Sequence, residues 1–451
     1  MAMFSQDALN PGVKKREVFG WAMYDFANSG YTTVVLTAVF AAYFVGGIAK
    51  GAEWATFAWT AALSISYAIV MIVMPALGAY ADLHAKKKTL LMGSTVLCVL
   101  ATAALSFAGP GSVALAFGLI VLSNTFYSFG ESLTASFLPE LARPEALGKV
   151  SGWGWSFGYF GGMLALGISL AYVIWAGKQG ISADQFVPVT MLITAAIYGA
   201  AAMVTFKLLK ERAVPKAAAR RTGANVGADA DADPNAGSGA GAVRASFRQL
   251  AETFRKAKRY QDFKSLLLCA VFYQGGVTVT ITLAAIYAEQ VIGFVQAETM
   301  VLIFALNFAA AAGAFGCGYL QDRIGHKLTL GLTLVAWIAT CIIAALTTTK
   351  GGFWYAAALA GIAMGSSQSV GRAMAGMFAP PLQLAEFYGL WTFATRLASI
   401  IGPLSYGIIT WATGGNQRIA IASTAVLFVA GLVVLKQVDV ARGRAAALAT
   451  V

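Results

Sequence analysis

Long apolar runs recur along this 451-residue sequence, and they restrict its fold more than any other feature. A helix needs about 20 apolar residues to cross a bilayer, and twelve runs reach that length. Only 12% of the residues are charged, whereas soluble domains carry about 25%. We therefore predict an all-α membrane protein with twelve transmembrane helices, near 18–47, 57–80, 89–108, 112–135, 151–176, 187–209, 264–290, 298–318, 328–348, 353–376, 387–412 and 417–436.

The predicted helices fall into two groups of six, separated by one long polar stretch. Residues 1–209 hold the first six-helix bundle, and residues 264–436 hold the second. Residues 210–263 form a linker between the bundles, and residues 437–451 form a tail. The predicted plan is two bundles joined by a linker on one side of the membrane.

The linker has two parts of different composition. Residues 213–245 are mostly Ala, Gly, Asp and Arg, and they cannot bury enough apolar surface to fold. In residues 246–262, apolar side chains recur at helical spacing among basic ones. This pattern predicts a basic amphipathic helix on the anionic inner leaflet of the membrane, and binding of a partner protein is its alternative role.

The positions of lysine and arginine predict the orientation of the helices. With the N-terminus inside, 26 of the 32 Lys and Arg residues lie on the inner side. Both termini and the linker are therefore predicted to be cytoplasmic. The same distribution explains the formal net charge of +12 as a positive-inside pattern, so nucleic-acid binding is not predicted. The outer side carries Lys50, Lys178, Lys350 and Arg418.

The two bundles repeat each other at an offset of about 240 residues. Gly78 and Asp82 at the end of helix 2 correspond to Gly318 and Asp322 at the end of helix 8. Two parallel repeats predict a solute site between the bundles near the membrane midplane, exposed to each side in turn. After helices 4 and 10, a shift of 241 residues relates Phe137, Pro139, Glu145, Gly148 and Gly161 to Phe378, Pro380, Glu386, Gly389 and Gly402.

The Gly-x-x-x-Asp pattern at these two helix ends has a physical explanation. Glycine allows two helices to approach closely, and an aspartate at a helix end can meet the positive N-terminus of a helix in the other bundle. Such a contact, formed in one state and broken in the other, helps to hold one face closed. The predicted gating residues are Gly78, Asp82, Gly318, Asp322 and Arg323.

These two loops resemble the signature loop of the major facilitator superfamily, usually written GxxxDRxGRKK. The second copy, GYLQDRIGHK, matches that signature apart from His326. The first copy, GAYADLHAKKK, has Leu83 and Ala85 where arginine and glycine are usual, which predicts a weaker closing contact in the first half. The resemblance implies alternating access and a cavity lined by helices 1, 4, 7 and 10.

A narrower resemblance covers nearly the whole chain. WAMYDFANSGY at 21–31 is similar to the opening motif of the vacuolar amino-acid effluxer-like family, whose bacterial members are called the unknown major facilitator family. FLPELA at 137–142, QSVGRAMAGMFAP at 368–380 and GNQRIAI at 415–421 are similar to its later motifs. Gly371 departs from the pattern, in which a serine precedes the arginine. Amino-acid efflux, the activity that the resemblance implies, belongs to the fungal relatives.

Ionisable residues inside predicted helices are candidates for the transport chemistry, because each costs about 2.5–3.5 kcal/mol at the membrane centre. Four residues qualify: Asp25, Glu131, Arg372 and Arg396. Asp25 has two interpretations. It binds the proton that couples transport to the proton gradient, or it forms a fixed ion pair with Arg396 or Arg372 that holds helices together.

Glu131 and Arg372 occupy equivalent positions in helices 4 and 10, since the repeat offset of 241 separates them. A pseudo-two-fold axis would bring such positions together near the cytoplasmic mouth. We therefore predict a salt bridge between Glu131 and Arg372 that closes the inner gate. The alternative is that each residue pairs within its own bundle.

Polar side chains on the cavity-lining helices are the candidates for contact with a solute, and they would suit a small zwitterion or another polar compound. Hydrogen bonds between helices would account for them equally well. The candidates are Tyr24, Asn28 and Tyr31 on helix 1, Asn124 and Tyr127 on helix 4, Gln274 and Thr278 on helix 7, and Gln368 on helix 10.

Neither enzyme chemistry nor a metal site is predicted, because His84 and His326 stand alone in short polar loops. We predict a monomeric secondary transporter in the cell membrane (the inner membrane in a Gram-negative cell). It exports amino acids or similar small polar solutes, driven by the proton gradient and without a bound cofactor. Export of drugs or amphipathic compounds is the alternative within transport, and a non-transporting sensor or scaffold is the alternative outside it.

Overall fold

The computed structural model describes residues 4–212 and 260–449, and long helices account for most of them. The predicted disordered segment 213–245 lies outside the described residues, as does most of the predicted amphipathic helix 246–262. The helices are α1 (Lys15–Tyr31), α2 (Ala55–His84), α3 (Lys87–Ala104), α4 (Val113–Ala135), α5 (Leu147–Lys178), α6 (Ala183–Leu208), α7 (Gln261–Tyr287), α8 (Gln296–Ile324), α9 (His326–Leu346), α10 (Lys350–Phe378), α11 (Leu384–Ala412), α12 (Gln417–Lys436) and the short α13 (Val440–Leu448).

Ten helical segments in the described part of the chain are long and apolar enough to cross a membrane. α10 and α11 fall outside this set although each has 29 residues. Both helices contain many glycine, serine and aromatic residues, and each carries an arginine in its interior, Arg372 in α10 and Arg396 in α11; together these residues lower the mean hydropathy. The prediction of an all-helical membrane protein is therefore confirmed, with ten helices that meet the requirement by length and composition.

After α1 the chain stays helical, with widened π-helical turns over Thr32–Ala38 and Phe44–Ile48. The first of these turns begins with four consecutive β-branched residues, TTVV. In addition, Thr33 Oγ1 donates a hydrogen bond to the carbonyl oxygen of Ser29 at 2.8 Å. Crowded β-branched side chains and hydroxyls bonded to the preceding turn both disfavour regular α-helical geometry. The local sequence therefore explains where the helix widens.

Helix packing repeats between the first six and the last six long helices. In the first group α1 packs on α5 and α6, and α4 packs on α2 and α3. In the second group α7 packs on α11 and α12, and α10 packs on α8 and α9. The two groups, or halves, meet along α2 with α11 and along α5 with α8. The repeat relates α2 to α8 and α11 to α5, so the two contacts between the halves are equivalent. The packing of the halves therefore agrees with the internal repeat of the sequence.

The first and last helices of each half are tied together at the same end of the molecule. Arg212, after α6, pairs with Glu17 at the start of α1 at 2.6 Å. Arg442 in α13 pairs with Asp262 at the start of α7 at 2.7 Å. In the sequence, residues 213–259 join the two halves and connect to them at this end of the molecule. We therefore term this end the linker face. α2 and α8 end at the linker face, and α5 and α11 begin there.

Two glycines allow the halves to touch at the linker face. A Cβ atom on Gly78 in α2 would overlap the carbonyl oxygen of Ala385 at the start of α11. A Cβ atom on Gly318 in α8 would lie 2.7 Å from the carbonyl oxygen of Gly148 at the start of α5. Real Cβ atoms do not approach a carbonyl oxygen this closely, so both helix pairs need glycine at these positions.

Candidate functional site

The four ionisable residues that the sequence places inside helices form two ion pairs between the halves. Arg372 Nη1 in α10 lies 2.7 Å from Asp25 Oδ2 in α1. Arg396 in α11 forms an ion pair with Glu131 in α4. Each pair thus joins a carboxylate of the first half to a guanidinium of the second. Both contacts must break if the halves separate at this level.

The predicted salt bridge between Glu131 and Arg372 is wrong, and so is the alternative of pairing within each half. Arg372 points toward α1 and α5, because its Nε donates to Ser151 Oγ at 3.1 Å and its Nη2 donates to the Ser151 carbonyl oxygen at 2.8 Å. Its remaining group reaches Asp25. Glu131 is met instead by Arg396, so equivalent positions in the repeat do not face each other.

Aromatic rings and a glycine enclose the ion pair between Asp25 and Arg372. The guanidinium carbon lies 4.7 Å from the ring centroid of Trp21 and 5.3 Å from that of Trp155. A Cβ atom on Gly154 would overlap Asp25 and lie 2.7 Å from Arg372 Nη2. The two side chains are 12% and 8% exposed, respectively. This geometry supports the interpretation of Asp25 as the partner of Arg372 in a buried ion pair.

The ion pair between Glu131 and Arg396 is more open. The Glu131 side chain is 34% exposed, and the Arg396 side chain is 13% exposed. The guanidinium lies over the rings of Tyr67 and Tyr127, at 5.4 and 6.0 Å from their centroids. Among the described residues, no acceptor meets Arg396 Nε. This pair therefore offers both a negative and a positive group to a small polar molecule.

Two of the predicted solute contacts point away from the second half. The hydroxyl of Tyr24 lies 2.7 Å from Thr95 Oγ1 in α3. The hydroxyl of Tyr198 in α6 donates to Asn28 Oδ1 at 2.7 Å and lies 3.3 Å from the Tyr24 hydroxyl. Tyr24 and Asn28 are both buried. These residues therefore fit the alternative interpretation, hydrogen bonding between helices of the first half.

Tyr31 and Asn124 also bind neighbours within the first half. The Tyr31 hydroxyl lies 2.8 Å from Ser123 Oγ, and Asn124 Nδ2 donates to Ser66 Oγ at 2.9 Å. Tyr127 stacks on Tyr31 with centroids 4.9 Å apart, but it also lies beside Arg396 and therefore belongs to the open ion pair.

In the second half, Gln274 Nε2 donates to Gln368 Oε1 at 2.8 Å, and the Thr278 hydroxyl donates to the Gln274 carbonyl at 2.8 Å. Gln368 and Thr278 are partly exposed, whereas Gln274 is buried. Contact of Tyr127, Gln368 and Thr278 with a solute stays a prediction.

Replacing Tyr198 by phenylalanine tests the packing role of Tyr24 and Asn28. We expect the free energy of unfolding to fall by about 1–2 kcal/mol, because the buried Asn28 Oδ1 loses its donor. Solute exchange per folded molecule should stay at the wild-type rate. Thermal unfolding in detergent measures the first effect and vesicle exchange the second. Tyr355→Phe is the matched control at an exposed position of α10. Loss of exchange by folded Tyr198→Phe protein would contradict this role.

Asp82 and Asp322 occupy the positions at the linker face that their place in the repeat predicts. Asp82 Oδ1 and Oδ2 accept hydrogen bonds from the backbone N–H groups of Ala385 (3.1 Å) and Glu386 (2.8 Å) at the start of α11. Asp322 accepts from the N–H groups of Gly148 (3.0 Å) and Lys149 (3.1 Å) at the start of α5. Each aspartate thus binds the positive N-terminus of a helix in the other half, and the linker face is closed.

The two loops beside these aspartates differ in backbone conformation and exposure. Ala85 has a φ of 52°, in the left-handed region that favours glycine. This explains why glycine is usual at that position in the signature loop. In the second loop Gly325 has a φ of 92°, and Arg323 is exposed at the last turn of α8. The aspartate contacts have similar lengths in both halves, so the substitutions in the first loop leave the contact formed.

Several residues that complete the site are absent from the sequence-based prediction. Ser151 binds Arg372 and also donates from its hydroxyl to the Ser369 carbonyl oxygen at 2.8 Å. Ser132 Oγ in α4 donates to the Tyr388 carbonyl oxygen in α11 at 3.1 Å. Both serines bridge the halves, and each lies at a helix turn near the linker face. Each serine is a polar residue in a helix that contacts the other half, and this is the signal in the sequence that could have identified them.

The described residues contain no group of three or more His, Cys, Asp and Glu side chains arranged to hold a metal ion. What the site offers chemically is charge, hydrogen bonding and two contacts that can form and break. Groups of this kind can hold a polar solute or a proton and can link either to the relative position of the halves.

Comparison with known proteins is consistent with this architecture. Residues 43–448 match the model of the family described as vacuole effluxer Atg22 like. The chain is 27% identical over 422 residues to YxiO of Bacillus subtilis (strain 168), described as an uncharacterized MFS-type transporter, and the match covers 92% of this chain and 93% of that protein. It is 24% identical over 340 residues to autophagy-related protein 22 of Yarrowia lipolytica (strain CLIB 122 / E 150), covering 72% of this chain and 56% of that one.

Solved structures share the fold at low sequence identity. The human organic anion transporter MFSD10 (TETRAN) superposes with a TM-score of 0.67 at 14% identity, over 93% of this chain and 99% of that one. A variant of the Escherichia coli fucose:proton symporter FucP gives 0.65 at 16% identity, over 94% and 97%. A bacterial homologue of the iron transporter ferroportin in an outward-facing state gives 0.65 at 15% identity, over 94% and 99%.

Proposed function

This chain belongs to the vacuole effluxer Atg22-like family, and on that premise we propose that it exports amino acids or similar small polar solutes by proton-coupled alternating access. Its relatives and structural neighbours make it a multi-pass membrane transporter of the major facilitator kind. The coupling ion, the solute class and the direction of transport are the parts that we propose. The residues of the two ion pairs and of the linker face supply the argument.

The proposal rests mainly on the two ion pairs that join the halves, Asp25 with Arg372 and Glu131 with Arg396. Burying charged groups within membrane helices is costly, so a chain with a purely structural role gains little from four of them. Here both pairs lie where the halves must separate for a solute to pass. The open pair, Glu131 with Arg396, is placed to meet the opposite charges of a zwitterion such as an amino acid. Tyr127 on α4 and Gln368 on α10 are the further polar groups that we assign to the solute site.

Protonation of Asp25 is the proposed coupling step. A neutral carboxyl group loses its charge attraction to Arg372, whereas the guanidinium keeps its two hydrogen bonds to Ser151. The ionic contact of α10 with the first half is then lost, and the hydrogen bonds to Ser151 that remain are a weaker tie between the halves. A proton that binds Asp25 from one side and leaves to the other links movement of the halves to the proton gradient.

The proposed topology has twelve membrane crossings, with α10 and α11 as the two added to the ten apolar ones. The linker face carries most of the lysine and arginine residues, so we place it in the cytoplasm. The closed linker face then corresponds to a state that opens to the outside. A monomer in the cell membrane completes the proposal.

Counterflow in proteoliposomes tests the transport activity. Vesicles containing the purified full chain are loaded with unlabelled amino acids, and uptake of labelled amino acids is followed without and with a pH gradient. We expect uptake in both conditions and a larger accumulation with the gradient. Asp25→Asn should keep the exchange and lose the added accumulation. Asp184→Asn, at an exposed carboxylate in the first turn of α6, is the matched control and should behave as wild type.

Either part of this proposal can fail separately. A folded protein that exchanges no amino acid from any pool would reject amino acids as the solute, and amphipathic compounds would be tested next. Exchange together with undiminished gradient-driven accumulation in Asp25→Asn would reject Asp25 as the proton site.

A further inference from the structure

A groove opens at the linker face between the loop that joins α8 to α9 and the end of α12. Its volume is about 460 Å³, comparable to that of small-molecule sites. Its floor is apolar and includes Leu328, Leu432 and Leu435, whereas Lys327 and Lys436 stand at its edge. None of the residues that line it is acidic. The groove therefore combines an apolar surface with an excess of positive charge.

The internal repeat shows what occupies the corresponding position in the first half. There, Glu211 Oε1 accepts from the backbone N–H of Lys87 at 2.8 Å, and Oε2 accepts from that of Lys88 at 3.0 Å. These are the first two residues of α3. The Lys88 ammonium group also donates to the Leu209 carbonyl oxygen at 2.6 Å. A carboxylate from the end of the half thus neutralises the start of α3.

In the second half a lysine makes a similar contact, but among the described residues no carboxylate reaches the start of α9, since Asp439 accepts from the N–H of Arg442 instead. Lys327 Nζ donates to the Lys436 carbonyl oxygen at 2.9 Å, as Lys88 does to the carbonyl of Leu209. Glu211 stands two residues after that carbonyl in the first half, whereas Val438 stands two residues after it in the second. Within residues 4–212 and 260–449, no side chain accepts from the N–H groups of Lys327 or Leu328.

We propose that this groove binds an anionic phospholipid. The lipid phosphate takes the place that Glu211 holds in the first half, over the N–H groups of Lys327 and Leu328, with the ammonium groups of Lys327 and Lys436 beside it. An acyl chain lies along the apolar floor. The groove lies at the end of membrane-spanning helices, where lipid headgroups lie. Its apolar floor, with Leu328 57% exposed, fits a lipid better than a free anion. This inference is independent of the transported solute.

Native mass spectrometry of the full chain in detergent, titrated with phosphatidylglycerol or phosphatidylcholine of the same acyl chains, tests the proposal. We expect phosphatidylglycerol to bind more tightly. Lys327→Gln and Lys436→Gln should each weaken its binding about fivefold, and the double variant about 25-fold, since each lysine near a membrane surface contributes about 1 kcal/mol. Lys86→Gln removes an exposed lysine from the same face of the first half and should change nothing.

Three results would overturn the proposal. Equal binding of the two lipids, or unchanged binding by the double variant, would show that the groove does not select anionic lipid. Displacement of phosphatidylglycerol by millimolar inorganic phosphate would make a free anion the ligand. A several-fold gain in lipid binding after deletion of residues 213–259 would make the linker the natural occupant.

Discussion

Arg372→Met should abolish solute exchange and lower the free energy of unfolding by about 3–5 kcal/mol. Removing one member of a buried ion pair leaves the other charge without compensation, and Asp25 is enclosed by Trp21 and the backbone of Gly154. The guanidinium also ties α10 to α5 through Ser151, so the same change removes the hydrogen bonds that hold the halves in register. Denaturation in detergent gives the first quantity, and counterflow gives the second.

The double variant Asp25→Asn/Arg372→Met separates the two effects. Without a buried charge, most of the lost stability should return, because the penalty comes from the unpaired carboxylate. Exchange should stay absent, because the guanidinium that binds both Asp25 and Ser151 is still missing. Recovery of both stability and exchange would reduce the pair to a structural contact. Arg396→Met is the comparison at the more open pair, where Glu131 is 34% exposed and water can compensate for part of the lost partner.

Gly78→Ala should prevent the linker face from closing and leave the protein open on that side. The added methyl group would overlap the carbonyl oxygen of Ala385 while Asp82 binds the same turn of α11. Overpacking of this kind costs about 2 kcal/mol, which shifts the balance between closed and open states about 30-fold. Spin labels on cysteines at positions 86 and 323, in a background without the native cysteines, report the distance between the two halves.

The matched control is Gly93→Ala in α3, since a Cβ atom there meets no other atom within 4 Å. It should leave the distance distribution as in wild type. Gly318→Ala repeats the test in the other half, where the opposing atom is the carbonyl oxygen of Gly148. A short, wild-type distance in Gly78→Ala protein would mean that α2 and α11 can close without glycine.

The helices were predictable because apolar runs mark the part of each helix that lies in the hydrocarbon core. Their ends were not. α8 runs over Gln296–Ile324, beyond the predicted 298–318, and α5 runs over Leu147–Lys178, beyond the predicted 151–176. Polar residues at these ends form helix outside the apolar region, so hydropathy underestimates helix length. The linker-face contacts of Asp82 and Asp322 were predictable because a sequence repeat fixes which helix ends correspond.

The partners within the two ion pairs could not be predicted from the sequence alone. The repeat offset identifies Glu131 and Arg372 as equivalent residues, but it contains no information on the direction in which either side chain points. That direction follows from Ser151 and the two tryptophan rings, which come from helices distant in the sequence. Long side chains select among several partners within reach, and only the packed helices determine the choice.

The closing contacts at the linker face also bear on how the two halves can diverge. Asp82 and Asp322 bind main-chain N–H groups, which every residue except proline provides. Side chains such as those of Ala385 and Lys149 can therefore change over generations without a matching change in the other half. Only one side of each contact, the aspartate and its neighbouring glycine, cannot be substituted without loss of the contact. A duplicated six-helix unit can thus accumulate substitutions around a new solute while both copies keep the same closing device.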